Sequence, residues 1–110
     1  YESNPELIER YSKRYQVDKS KFYTNLDEML DKLKPDAVSA FGAISEHIEI
    51  VRACAPRNIH VMVEKPLATT LADAKEIERL ANKHNIHVLT NFETSWYESN
   101  QHIIGFRSVG

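Results

Sequence analysis

The sequence predicts an α/β fold in which helices flank a parallel sheet. Three short apolar runs alternate with segments whose apolar residues recur at the spacing of an α-helix. Each connection between two runs is long enough for a crossover helix, as in right-handed βαβ units. The runs have no polar face, which is typical of parallel strands covered by helices on both sides. We therefore expect one parallel sheet with helices on both faces.

Two helices and a short extended segment precede the first apolar run. The first helix is predicted to begin at Asn4-Pro5, where an amide cap precedes a proline in the first turn, and to cover about residues 5–15. Phe22-Tyr23 is compatible with a very short strand. The second helix is predicted to begin at Asn25, because Glu28 follows three residues later in the pattern of a capping box.

Strands are predicted at the three apolar runs, residues 36–41, 59–63 and 86–90. Ser45 is expected to cap the helix between the first two strands, and Thr70, with Asp73 three residues on, to cap the longest helix. The apolar stripe of that longest helix is expected to be buried and comprises Leu71, Ala74, Ile77, Leu80 and Ala81.

Composition excludes several classes of protein. The net charge of the 110 residues is −2 with the five histidines neutral, so we expect no general attraction to nucleic acid or to an anionic membrane. The polar start lacks the basic and apolar regions of a secretory signal. The single cysteine, Cys54, lies among apolar residues and favours a buried thiol in a reducing compartment. We expect a cytoplasmic protein, and a truncated one because Tyr1 is not Met.

The candidate site lies where the predicted strands end. Ligands of open parallel sheets bind in the crevice outside the carboxyl ends of the strands. Those ends are Phe41-Gly42-Ala43, Glu64-Lys65-Pro66 and Asn91-Phe92-Glu93. All three must lie at the same edge of the sheet if the strands are parallel, so we expect their polar groups to share one crevice.

Glu64-Lys65-Pro66 is the most distinctive of these segments. Pro66 biases Lys65 toward an extended backbone, and a lysine at a partly desolvated strand end can give a proton to a carbonyl oxygen or place a charge beside it. Glu64 is expected to pair with Lys65 or with a neighbouring donor. By spacing alone, the same residues also fit a strand that ends in a solvated Glu-Lys pair and a proline turn.

Other candidates have two interpretations each. His47 either reaches over the crevice or is a surface residue of its helix, and Gly42 either lets the backbone approach a ligand or is a plain turn glycine. Trp96-Tyr97 either lines a sugar pocket or packs against another domain. The pair His84 and His87 resembles a metal spacing, but it spans a helix end and a strand start, so no metal site is predicted.

The run from Phe22 to about Asn100 resembles the glucose–fructose oxidoreductase and inositol dehydrogenase family, often written Gfo/Idh/MocA. The resemblance rests on Pro35-Asp36-Ala37-Val38, on the loop to Glu46-His47, and on the run from His60 to Ala68. A strand that ends in Glu-Lys-Pro before threonines and a long helix is fairly specific to this family.

The resemblance implies an incomplete, Rossmann-like NAD(P)-binding domain and NAD(P)-dependent chemistry at a sugar, polyol or related hydroxyl carbon. It implies that Lys65 lies near the nicotinamide and the reacting hydroxyl, where it assists proton transfer, and that Glu64 and Pro66 shape this site. His47 matches a histidine near the cofactor. Gly42-Ala43-Ile44 occupies the loop that borders the dinucleotide.

The sequence departs from the family pattern in several places. The usual Thr-Pro-Asn of the cofactor loop is Gly42-Ala43-Ile44, and Thr94-Ser95-Trp96-Tyr97 stands where an arginine is common, so Trp96 and Tyr97 join Lys65 as candidate substrate contacts. No G-x-G-x-x-G occurs, and the first two strands and the second domain are missing. We expect residues 1–100 to be a partial cofactor domain and residues 101–110 an unassigned tail.

The resemblance predicts a fragment of an oxidoreductase that is a homo-oligomer at full length and uses NAD or NADP. A different class of function is also open, a non-catalytic α/β module that binds a partner through an exposed sheet edge.

The 110-residue chain alone is expected to be inactive, because hydride transfer needs a bound cofactor. Incubation of the isolated chain with NAD and a polyol should give no sustained rise in NADH absorbance. Steady NADH production would contradict this expectation.

Overall fold

Residues 1–93, 97 and 98 are described in the computed structural model of the chain. Two compact units form, Tyr1–Asp36 and Ala37–Gly110. The first unit contains α1 (Pro5–Tyr15) and α2 (Leu26–Leu33). The second contains, in order, β1 (Ala37–Ala40), α3 (His47–Cys54), β2 (His60–Glu64), α4 (Leu71–His84) and β3 (Val88–Asn91). No helix in the described part is long and apolar enough to cross a bilayer.

The three strands of the second unit form one parallel sheet in the order β1-β2-β3. Val38 pairs with Val61 of the central strand, and Val61 pairs in turn with Val88. Since each crossover between neighbouring strands contains one helix, the predicted α/β fold is confirmed.

The core of the second unit lies between α3, α4 and one face of the sheet. Helix α3 contacts both α4 and β2, and alternate residues of β2 differ in burial, as the two-residue period of a strand requires. The buried side chains are Ile48, Val51, Cys54, Ala55, Ile59, Val61, Val63, Ile77, Leu80 and Ile86. The predicted burial of Cys54 is confirmed.

Within the second unit, the side chains on the other face of the sheet are less buried. Met62 is half-buried, and Leu89 on β3 is 59% exposed. Within the second unit, α3 and α4 contact each other and bury the Val61 and Val63 side of the central strand.

The predicted helix caps are present at three of four helices. The side chain of Asn4 accepts the N–H of Glu6 at 2.9 Å, and that of Asn25 accepts the N–H of Glu28 at 2.9 Å. Thr70 Oγ1 accepts the N–H of Asp73 at 3.1 Å. Each cap satisfies one backbone donor that has no partner inside its helix.

The Ser45 cap is the exception. Ser45 lies inside a single 3₁₀ turn, Ile44–Glu46, that leads directly into α3, which has no side-chain cap. The prediction is wrong because the chain turns before it reaches the α-helix, and the carboxylate of Glu46 accepts a backbone N–H at the start of that turn, from Ala43.

Two further expectations fail for reasons of packing and pairing. Leu71 is 71% exposed, because a helical stripe is buried only where a neighbouring element lies against it, and burial in α4 begins further along, at Ile77. Phe22-Tyr23 does not form a strand. The isolated backbone hydrogen bond from Glu2 N–H to Tyr23 C=O, at 2.9 Å, does not make a ladder of paired strands.

Loss of the α4 cap is expected to weaken the fold measurably. Thr70→Ala should lower the free energy of unfolding by about 1 kcal/mol, because the N–H of Asp73 loses its side-chain acceptor. Thr69→Ala is the matched control, since Thr69 is also an exposed threonine but does not cap the helix. Urea denaturation should separate the two variants, and equal midpoints would contradict the assignment of the cap.

Candidate active site

The parallel sheet brings the ends of its three strands to one edge. Ala40 at the end of β1 pairs with Val63, and Glu64 at the end of β2 pairs with Asn91 at the end of β3. The segments that follow these residues therefore leave the sheet side by side, as predicted. Ligands of open parallel sheets bind outside the carboxyl ends of the strands, so this edge is the candidate site.

Glu64 joins the two neighbouring strand ends through its carboxylate. Oε1 accepts the backbone N–H of Lys65 at 2.9 Å, and Oε2 accepts a hydrogen bond from Nδ2 of Asn91 at 3.3 Å. The expected pairing with a neighbouring donor is thus present, but it uses the main chain of Lys65 and not its ammonium. The contribution of Asn91 could not be found from the sequence alone, because it depends on the register between β2 and β3.

The backbone of Lys65 is hydrogen-bonded to Glu64, whereas its side chain is exposed. The peptide bond between Lys65 and Pro66 is cis, and both residues are exposed. Across the described residues, the Lys65 ammonium makes no hydrogen bond or ion pair. The expected partial desolvation is not seen, because Lys65 follows the last residue of β2 and emerges from the core. A free ammonium at this edge can donate to an oxygen of a bound molecule.

His47 is completely buried, so its interpretation as a surface residue is wrong. Its Nδ1 lies 3.1 Å from the carbonyl oxygen of Leu67, in the loop after β2. A carbonyl oxygen only accepts, so Nδ1 carries the proton and donates it. The other ring nitrogen, Nε2, is buried without a hydrogen-bond partner among residues 1–93, 97 and 98. His47 thus links the first turn of α3 to the segment that carries Lys65.

The loop after β1 brings the Glu46 carboxylate close to Gly42. A Cβ atom at Gly42 would lie 2.7 Å from Oε2 of Glu46, and this oxygen accepts the N–H of Ala43 at 3.1 Å. Gly42 therefore leaves room for the carboxylate that holds the loop. The φ angle of Gly42 is not positive, so the backbone conformation does not require glycine there. Ile44, the third predicted cofactor contact, is 36% exposed.

An ion pair connects the two helices of the second unit. The guanidinium of Arg52 on α3 donates to both carboxylate oxygens of Glu76 on α4, with Nε–Oε1 and Nη2–Oε2 distances of 3.0 and 2.9 Å. The hydrogen bond from Arg52 holds the pKa of Glu76 below its usual range. Because α3 begins at His47, this pair helps to fix the helix that carries the histidine.

The remaining candidates lie elsewhere or outside the description. Tyr97 is 54% exposed, and Trp96 lies outside the described residues. His87 donates its backbone N–H to Nδ1 of His60 at 2.9 Å, at the amino-terminal side of the sheet. In the described ranges, no three or more histidine, cysteine, aspartate or glutamate residues form a group that could hold a metal.

Comparison with known proteins identifies related sequences. A sequence model of the oxidoreductase family with the NAD-binding Rossmann fold matches residues 1–92. Myo-inositol 2-dehydrogenase of Thermotoga maritima is 33% identical over 72 residues, which are 66% of this chain and 22% of the relative. An uncharacterised oxidoreductase of Schizosaccharomyces pombe is 36% identical over 64 residues, 58% of this chain and 17% of that protein. The chain thus spans about a fifth of these relatives.

Solved structures show the same fold at lower identity. The myo-inositol 2-dehydrogenase of Lactobacillus plantarum superposes with a TM-score of 0.83 at 20% identity, and a probable dehydrogenase of Thermotoga maritima with 0.86 at 24%. Each match covers 99% of this chain and 32% of the other. The WlbA dehydrogenase of Bordetella pertussis, in complex with NADH and UDP-GlcNAcA, gives 0.75 at 20%, covering 86% of this chain and 26% of its own.

The predicted resemblance and the predicted class of cofactor are both confirmed by these matches. The family model matches residues 1–92 and so covers all three strands of the sheet and the Glu64-Lys65-Pro66 edge. The chain belongs to the Gfo/Idh/MocA oxidoreductase family, whose members have the NAD-binding Rossmann fold.

Proposed function

We propose that this chain forms the nicotinamide side of the cofactor site in an NAD(P)-dependent oxidoreductase that acts on a sugar, a polyol or a related hydroxyl compound. The observation that carries the proposal is the free ammonium of Lys65, held by its backbone at the crevice edge of the sheet. The names of the inositol dehydrogenase relatives support the class of substrate, and the NADH in the WlbA structure supports the cofactor.

The strand ends provide a suitable border for a dinucleotide. Gly42-Ala43-Ile44 would lie on one side of it and Glu64-Lys65-Pro66 on the other, since both segments leave the sheet at the same edge. The absence of a side chain at Gly42 leaves room for the Glu46 carboxylate, which accepts the Ala43 N–H and so holds this loop. When bound, the nicotinamide supplies hydride transfer. His47 was predicted beside the cofactor. Its ring is buried, and Nε2 has no hydrogen-bond partner among the described residues, so His47 would lie beneath the loop segments that border the dinucleotide.

Lys65 would act on the oxygen of the reacting carbon. During oxidation, Nζ in its neutral form would accept the proton that leaves the substrate hydroxyl, and during reduction the ammonium would return a proton to the carbonyl oxygen. Glu64 would hold the backbone of Lys65 and leave its side chain free to reach the substrate. Tyr97, with an exposed ring, and Trp96 would contact the substrate by stacking.

The choice between NAD and NADP, the cytoplasmic location and the homo-oligomeric state stay predictions. Partner binding through a sheet edge is the second candidate function. It is favoured by the position of β1 as an outer strand of the described sheet and by Phe41, which is 66% exposed.

Replacement of Lys65 tests the proposed chemistry. In the intact protein that carries this chain, Lys65→Met should lower kcat with inositol or another polyol by about a hundredfold or more, because the proton-transfer group is removed. The Kd for NADH should change less than about threefold. Lys83→Met is the matched control, since Lys83 is an exposed lysine in the last turn of α4, away from the crevice edge.

Stopped-flow or steady-state measurement of NADH absorbance gives kcat, and quenching of protein fluorescence gives the Kd. If Lys65→Met retains kcat within about threefold of the original protein, proton transfer by Lys65 is excluded. Absence of NADH binding by the intact protein would favour the partner-binding function.

Replacement of Gly42 tests the loop that would border the dinucleotide. Gly42→Ala should weaken NADH binding by about fivefold, because the added Cβ displaces the Glu46 carboxylate and the Ala43 N–H loses its acceptor, a loss of about 1 kcal/mol. In a Glu46→Ala background, Gly42→Ala should have little further effect. Equal losses in both backgrounds, measured by titration with NADH, would refute this coupling.

A further inference from the structure

We infer that His47 is a positioning residue, which holds the segment carrying Lys65 in place through the carbonyl group of Leu67. This inference rests on the proposed function, since the position of Lys65 matters for activity only if Lys65 takes part in the reaction. His47 would act through the backbone of the loop, without contact between its ring and the substrate.

The contact between His47 and Leu67 is a directional hydrogen bond whose donor is buried. Nδ1 donates to the Leu67 carbonyl oxygen over 3.1 Å, and no part of the His47 residue is exposed to solvent. The donor side of this part-buried hydrogen bond is therefore shielded from water, and the surrounding core restricts the orientation of the ring. A second proton, on Nε2, would be buried without an acceptor among the described residues. The Nδ1–H tautomer is therefore the one that fits the site.

The segment from Glu64 to Leu67 is held at both ends. At its start, Glu64 accepts the N–H of Lys65 and is itself held by Asn91 of β3. At its end, His47 of α3 holds the carbonyl group of Leu67. Lys65 and Pro66 lie between these two anchors with exposed side chains, so the anchors decide the course of the backbone from which the lysine extends.

Side-chain packing alone holds Leu67 incompletely. Leu67 is half-buried and borders a partly open cavity of about 250 Å³, which is also lined by residues of α4 that include Ala74 and Ile77. Because space remains beside Leu67, its side chain does not fix the loop by contact on all sides. The hydrogen bond from His47 therefore orients the Leu67 carbonyl group, which side-chain packing does not fix.

A purely structural role predicts a different result from a positioning role. If His47 only fills the core, its replacement should reduce stability, and catalysis should follow the amount of folded protein. If His47 positions Lys65, kcat of the fully folded enzyme should fall, and a substitute that restores a donor at the position of Nδ1 should restore kcat.

Three variants in the intact protein separate these roles. His47→Leu removes the donor, His47→Asn places an amide N–H close to the position of Nδ1, and His47→Gln places one close to that of Nε2. We expect His47→Leu and His47→Gln to lower kcat on the order of tenfold to a hundredfold, the effect of a small displacement of a reacting group. His47→Asn should stay within about threefold of the original protein.

An NMR measurement without cofactor tests the contact itself. Long-range ¹H–¹⁵N spectra of the imidazole should show a protonated Nδ1 and a bare Nε2 in His47. The ¹³C resonance of the Leu67 carbonyl should shift in His47→Leu and remain near its original position in His47→Asn. A tautomer protonated at Nε2, or a Leu67 carbonyl resonance that does not respond to His47→Leu, would overturn the inference.

The activity outcomes are also decisive and are separate from the test of Lys65. Unchanged kcat in folded His47→Leu, or an equal loss in His47→Asn and His47→Leu, would refute positioning even where Lys65→Met shows that Lys65 is catalytic. If Lys65→Met has no effect, the proposed function fails instead, and the NMR spectra still decide whether His47 holds Leu67.

Discussion

The parallel pairing of β2 with β1 on one side and β3 on the other is the constraint on which the candidate site depends. The pairing places Val61 and Val63 in the core and sets Glu64 beside Asn91. Because side chains alternate along a strand, a slip of one residue would expose the two valines and turn Glu64 away from its partner. The same register therefore builds the hydrophobic core and the polar edge.

The candidate site combines a hydrogen-bonded loop backbone with an exposed lysine side chain. Glu64 and Asn91 hold the start of the loop after β2, while His47 holds its end at Leu67. The Lys65 ammonium is left without a partner in the described part of the chain, although its main chain is fixed. This arrangement suits a group that must meet a substrate oxygen at a defined place, since precise placement of reacting groups accounts for much of the rate of an enzyme.

Local signals in the sequence predicted the helices well and their burial less well. Asn25 and Thr70 cap their helices as expected because a cap depends only on residues a few positions apart. Ser45 and Leu71 were misjudged because their surroundings depend on how the chain turns and what packs nearby. The edge that carries Glu64-Lys65-Pro66 was predictable, since parallel strands end at a common edge, but the hydrogen bonds made there were not.

The sequence by itself determined the α/β class, the order of strands and helices, and the family, through hydrophobic periodicity and the Glu-Lys-Pro strand end. Only the tertiary structure decided that His47 is buried and bonded to Leu67, and that Asn91 rather than the Lys65 ammonium is the side-chain partner of Glu64. These contacts join residues 20 and 27 positions apart. Periodicity and capping patterns report on neighbours along the chain, whereas such distant pairs are set by strand register and by packing of the helix on the sheet.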